Sequence, residues 1–150
     1  MKKKFFIISL LAIMLSSPVF SQDSGFGIGA IFGAPTGISL KVFVSKTSAF
    51  DAGIAWSFYN NGSISVHMDY LYHIFKLIPV DDGKLPLYFG IGPKFSFATE
   101  FQLGFRVPVG VDYMFKSVPI DVFVEVAPSL MVLPSTVFQV DGGLGARYFF

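Results

Sequence analysis

The chain contains no cysteine, so a disulfide framework and a thiolate metal site are both excluded. Charge is scarce as well. Asp, Glu, Lys and Arg make up 14% of the residues, against about 25% in ordinary soluble domains. No stretch after residue 22 offers the ~18 or more uncharged apolar residues of a membrane-spanning helix. Neither sign of charge dominates: the formal net charge is +1. Setting aside Lys2, Lys3 and Lys4 leaves a slight acidic excess, which gives no basic face for nucleic acid. No helical periodicity, low-complexity linker or second domain is evident.

What is abundant is grease. Hydrophobic residues make up 53% of the chain and aromatics 17%, and the mean hydropathy is +0.63. High apolar content without apolar runs means that periodicity spreads the apolar residues along the chain. The first 21 residues are set apart. Lys2, Lys3 and Lys4 precede an apolar core from Phe5 to Leu15, and a polar region with small Val19 and Ser21 follows. This is the layout of a secretory signal peptide, and the apolar stretch is too short for an anchor helix. The expected organisation is a leader over 1–21 and a single domain over 22–150.

From Gly25 onward the chain alternates with period two, the signature of a strand whose two faces meet different surroundings. The segments are Gly25–Phe32, Thr36–Val44, Phe50–Phe58, Ser63–Phe75, Leu85–Phe95, Phe101–Tyr113, Ile120–Val132 and Val137–Phe150. Turn signals separate them: Gly33-Ala34-Pro35, Ser45-Lys46-Thr47-Ser48, Asn60-Asn61-Gly62, Asp81-Asp82-Gly83, Lys116-Ser117-Val118-Pro119 and Pro134-Ser135-Thr136. Short links make neighbours antiparallel. The predicted fold class is all-β, an eight-stranded antiparallel up-and-down barrel.

One face of these strands carries Phe, Ile, Leu, Val, Trp and Tyr, including Ile54, Val66 and Val109. The other carries many glycines and the charged set Lys41, Asp51, His67, Asp69, His73, Lys94, Arg106, Asp112, Asp121, Glu125, Asp141 and Arg147. Volume decides which face is inside. An eight-stranded barrel has an interior just wide enough for side chains to fill it, so the small and charged set must line the lumen. The bulky apolar set must face out, which suits hydrocarbon, where a mid-depth Lys or Arg costs about 2–4 kcal/mol. A soluble exported barrel of the lipocalin kind would invert this sorting, and the volume argument opposes it. Aromatics near strand ends fit two membrane interfaces: Trp56, Phe58 and Tyr59 at one, and Tyr70, Tyr72, Tyr113, Phe115, Tyr148 and Phe150 at the other.

The segment Leu144-Gly145-Ala146-Arg147-Tyr148-Phe149-Phe150 resembles the C-terminal signature of outer-membrane β-barrels. With the leader and eight strands, the mature chain is similar in architecture to small outer-membrane proteins of the OmpA-domain and OmpX type. The resemblance implies the outer membrane of a Gram-negative-type bacterium, lipid as surroundings, a monomer, and the barrel-assembly machinery as a partner that reads Tyr148 and Phe150. It also implies long outer loops, from which this chain departs. With both termini in the periplasm, the outer links Gly33–Pro35, Asn60–Gly62, Phe97–Glu100 and Leu133–Thr136 are all short, and the longest link, Leu77–Lys84, is periplasmic.

Unpaired charge in a narrow lumen is costly, so the inward ions are expected to pair. They form either a structural ionic plug or a gate whose re-pairing opens a thin ion path, as is thought of the lumenal ion pairs in OmpA-like barrels. His67, His73 and Asp69 could hold a metal or give pH sensitivity, but the expectation is a lumenal network with no metal and no cofactor. Ser65-Val66-His67 reverses the His-x-Ser order of lipid-A-deacylating barrels and points inward, so no enzyme is expected. Gly27-Ile28-Gly29 and Gly90-Ile91-Gly92 have no helix after them and are not phosphate loops. They make room for large lumenal side chains such as Tyr88, Phe43 and Phe123. The leading function is a structural or interaction barrel with a charge-plugged lumen or a very narrow pore. The alternative is a surface adhesin or host-ligand binder, with a lipid-modifying enzyme third.

Overall fold

The computed structural model describes residues 25–58 and 62–150. The leader, Tyr59 and the Asn60-Asn61 turn lie outside the described residues. The rest is an all-β antiparallel ring. Its strands are β1 (Phe26–Ala34), β2 (Thr36–Phe43), β3 (Ser48–Ser57), β4 (Ser63–Ile74), β5 (Leu87–Phe97), β6 (Phe101–Arg106), β7 (Val109–Met114), β8 (Ile120–Leu133) and β9 (Val137–Phe149). β6 and β7 are one stave. Both lie between β5 and β8, and β1 pairs with β9 to close a ring of eight.

The single strand expected over Phe101–Tyr113 is interrupted at Val107-Pro108. Pro108 accepts a hydrogen bond from the Gly90 N–H (3.0 Å), but proline has no N–H to return the second bond of that pair. Pro86 similarly delays the start of β5 from the expected Leu85 to Leu87. Pairing resumes on its far side, where Lys84 and Met114 exchange two backbone hydrogen bonds of 3.0 and 2.8 Å.

The stagger of the ring follows from the register. A row of partners starting at mid-β1 runs Gly29, Ser39, Gly53, His67, Lys94, Gly104, Met131, Val137. It ends at the first residue of β9, whereas Gly142 already pairs with the last residue of β1. Strong tilt and stagger of this kind accompany closure of a narrow barrel.

The two faces sort as the alternation predicts. Ile54 is 49% exposed and Val109 44%, while Lys41, Asp69 and Arg106 are buried. The exterior is a continuous apolar belt that includes Phe50, Met68, Ile91, Phe105, Val124 and Leu144.

Turns define two ends. The proximal end holds the β2–β3, β4–β5 and β7–β8 links and residue 150. The distal end holds the β1–β2, β3–β4, β5–β6 and β8–β9 links, all short. At the tight β1–β2 turn the Thr36 hydroxyl donates to the Gly33 carbonyl and accepts from the Gly33 N–H.

Candidate functional site: a lumenal ion network above an apolar floor

The interior is layered along the barrel axis. At the proximal end Phe43, Ala49, Met114 and Phe149 pack together with Phe75 and form an apolar floor. Alternation sends these residues inward at the proximal ends of their staves. Sequence reasoning placed the lumenal charges but missed this floor. The signal was present, because Phe43 and Phe149 share parity with Lys41 and Arg147.

Above the floor sit two cations. Lys41 Nζ lies 2.6 Å from Asp112 Oδ2, with both side chains fully buried. Arg147 serves three carboxylates from three staves: Asp51 (2.9 Å), Asp121 (3.0 Å) and Asp112 (3.3 Å). Its guanidinium stacks over the Phe123 ring at 3.9 Å, and planar delocalised charge suits that stacking. Leu71, Tyr88 and Phe123 form a second apolar cluster at this level, with Ile31 packed against it.

A third cation occupies mid-height. Arg106 Nε lies 2.9 Å from Asp69, its Nη2 donates to Glu125, and its Nη1 faces His67 Nδ1 at 3.3 Å. Tyr88 Oη donates to the other Glu125 oxygen at 2.8 Å. The fourth cation, Lys94, pairs with Asp141 at 2.6 Å and donates to Gln139 at 3.2 Å. Asp51 joins the two lower levels by contacting both Arg147 and His67. Asp141 lies 4.0 Å from Arg106 and so links the upper two.

Eleven of the twelve inward ionisable residues read from the sequence therefore stand in one connected network. His73 stands outside these ion pairs, at the edge of the network. It lies closer to the proximal end, where its Nδ1 donates to the Thr47 carbonyl at 3.2 Å. Its ring sits among Phe43, Phe75 and Tyr88 at centroid distances of 5.0, 6.0 and 5.5 Å.

Asp51, His67 and Asp69 bring ligand-type atoms within 4.8 Å of one another, the one such grouping among the described residues. Their chemistry suits hydrogen bonding better than metal. Arg106 can only donate, so His67 Nδ1 accepts from it and the ring proton sits on Nε2, facing Asp51 at 3.3 Å. A metal needs that Nε2 lone pair, and two guanidiniums already hold the carboxylates. Ser65 and His67 both line the interior. The His67 ring meets Asp51, Asp69 and Arg106.

Among the described residues, two connected polar spaces lie in the distal half. A polar vestibule of about 380 Å³ opens at that end, lined by residues including Ser57, Ser63, Ser65, Ser96, Gln102 and Gln139, with Lys94 and Asp141 also in its wall. It leads into a narrow cavity of about 30 Å³ bordered by Ser39, Asp51, His67, Arg106 and Glu125, space for about two waters. Below that, Arg147, Tyr88, Lys41, Leu71 and Phe149 are all under 2% exposed.

Glycines make this filling possible. Gly110 lies opposite Tyr88, Gly145 opposite Phe123 and Gly27 opposite Phe149 on neighbouring staves. A Cβ on Gly27 would stand 2.8 Å from Phe149 Cζ, and one on Gly110 would stand 2.5 Å from Tyr88 Cζ. Each large ring thus lies flat over a gap that only glycine leaves.

No family model matches the chain, and no curated protein does. Among solved structures it is similar to the N-terminal β-barrel domain of Pseudomonas aeruginosa OprF, with a TM-score of 0.63 and 13% sequence identity. That likeness covers 85% of this chain and 98% of the OprF domain. It establishes the fold: a small, closed, antiparallel β-barrel.

Proposed function

We propose that this protein is a small outer-membrane β-barrel with a structural or interaction role and a lumen sealed by its own side chains. The observation that carries the reading is the sorting of the two faces: apolar residues cover the exterior, while Lys41, Asp69, Arg106 and Arg147 are buried within. Apolar contact with water is unfavourable over so large a belt, whereas contact with hydrocarbon is not. Closure of the ring leaves no backbone edge to be satisfied by lipid. The leader-like N-terminal sequence and the barrel likeness support export and an outer-membrane site. Tyr148 and Phe150 pack edge to face at 5.1 Å at the proximal rim, a suitable place for an assembly signal to be read.

The floor favours a plug over a pore. Swinging Arg106 from Glu125 toward Asp141 would rearrange charge at mid-height, but the Phe43–Met114–Phe149 layer beneath would still block the way. Planar-bilayer recording of the purified protein tests this. The expected result is no stepwise conductance at any holding potential, and unitary current steps would contradict the sealed lumen. No catalysis and no cofactor are proposed.

A further inference from the structure

The two ends differ in charge. Three proximal links carry exposed lysines: Lys46 between β2 and β3, Lys76 and Lys84 between β4 and β5, and Lys116 between β7 and β8. Within these three links stand two exposed carboxylates, Asp81 and Asp82, at the tip of one of them. In the distal links Glu100 is the one ionisable side chain that the sequence supplies apart from the phenol of Tyr59. The outer surface near the distal rim exposes Phe58 (89%), Phe32 (68%) and Phe138 (67%).

Among the described residues, the outward tyrosines are polarised in the same direction. Tyr70, Tyr72, Tyr113 and Tyr148 all lie in the proximal halves of their strands, and at the distal end Trp56, Phe97 and Phe101 take their place. Tyr70 Oη donates to Ser48 at 2.9 Å and Tyr113 Oη to the Asp82 carbonyl at 3.0 Å, so these phenols point toward the proximal rim. Rings with a wet tip and an apolar body mark a membrane–water boundary. The lysines stand just beyond it, at headgroup depth, where their stems can lie along apolar surface while the ammonium reaches out.

We infer that the proximal rim is a binding collar for anionic phospholipid headgroups, with Lys46, Lys76 and Lys116 as its phosphate-contacting residues. The arrangement fits lipid better than a protein partner. The lysines are dispersed over three links around the barrel and do not gather in one patch, and headgroups surround a barrel on every side. The distal rim offers no cation to a lipid phosphate, so the two leaflets are not treated alike. This inference rests on the membrane reading above.

The test is boundary-lipid selectivity. The purified protein is reconstituted in phosphatidylcholine vesicles doped with spin-labelled phosphatidylglycerol or spin-labelled phosphatidylcholine. The expected result is a preference for phosphatidylglycerol of roughly fivefold at low salt, the effect of about one surface lysine. It should vanish near 1 M salt, where screening falls to about 3 Å. The triple variant Lys46→Gln/Lys76→Gln/Lys116→Gln, checked for the same β-sheet signal, should bind both lipids equally. Lys84 is left in place because its ammonium lies 5.6 Å from the Phe75 ring centroid. Equal binding by the unaltered protein overturns the collar, as does a preference that survives salt or the triple substitution. Trp56, the single tryptophan, reports on the distal end. Brominated phosphatidylglycerol should quench it no more than brominated phosphatidylcholine, and stronger quenching contradicts the assignment to the proximal rim. Failure to insert into either vesicle overturns the membrane reading and this inference together, whereas insertion without selectivity removes the collar alone.

Discussion

At the scale of single residues, Arg147 is the side chain whose loss the lumen can least absorb. It is 2% exposed and holds carboxylates from β3, β7 and β8 at once. Bringing these groups out of water is costly, and their mutual attraction offsets that cost only while every partner is present. Arg147→Ala leaves Asp51, Asp112 and Asp121 with Lys41 and His67 as their nearest compensation. The expected loss is about 3–5 kcal/mol, measured by denaturant unfolding in detergent micelles. Lys46→Ala, on the exposed β2–β3 link, should stay within about 0.5 kcal/mol of the parent. Equal effects from the two substitutions would contradict the burial ascribed to the network. Parity made Arg147 legible as a lumenal residue. Its three partners were not legible, because which carboxylates meet it depends on inter-strand register and on side chains crossing the lumen. His73 shows the same gap. Its parity is that of the ions, yet its height along the axis puts it among the aromatic rings of the floor.

At the scale of strands, the sequence already carried most of the answer. Alternation from Gly25 onward gave every stave, and the turn chemistry placed the breaks within a few residues. The two interruptions that parity did not foresee trace to proline. Pro108 splits one stave into β6 and β7, and Pro86 shortens β5, because each withholds a donor from the ladder without ending the extended chain. Period two also fixes the cost of placing a charge on the wrong face. On the proposed membrane reading, Val109, 44% exposed near mid-height on the β6/β7 stave, meets hydrocarbon. Val109→Arg should destabilise the folded barrel by about 2–4 kcal/mol in lipid vesicles, read from unfolding titrations. In a water-soluble barrel the same change on an exposed position would be close to neutral, and that outcome would contradict the lipid-facing assignment.

At the scale of the whole molecule, the barrel is a cup: open and polar at the distal end, ionic at mid-height, closed by apolar side chains at the proximal end. The floor was the largest feature that the sequence concealed, since four inward residues from separate staves become a layer only once the stagger of the ring is known. Absence of cysteine makes the central claim directly measurable, because single cysteines can be introduced and spin-labelled without background. Labels at Val124, Val126 and Val140, which are 54%, 52% and 56% exposed, are compared with one at Gln139, in the vestibule wall. In reconstituted vesicles the first three should collide readily with dissolved oxygen and be shielded from a water-soluble nickel chelate, and Gln139 should show the reverse. Shielding of the valine positions from oxygen, with free access of the chelate to Lys41, Asp69 or Arg106 labelled in turn, would mean that the two faces are assigned the wrong way round.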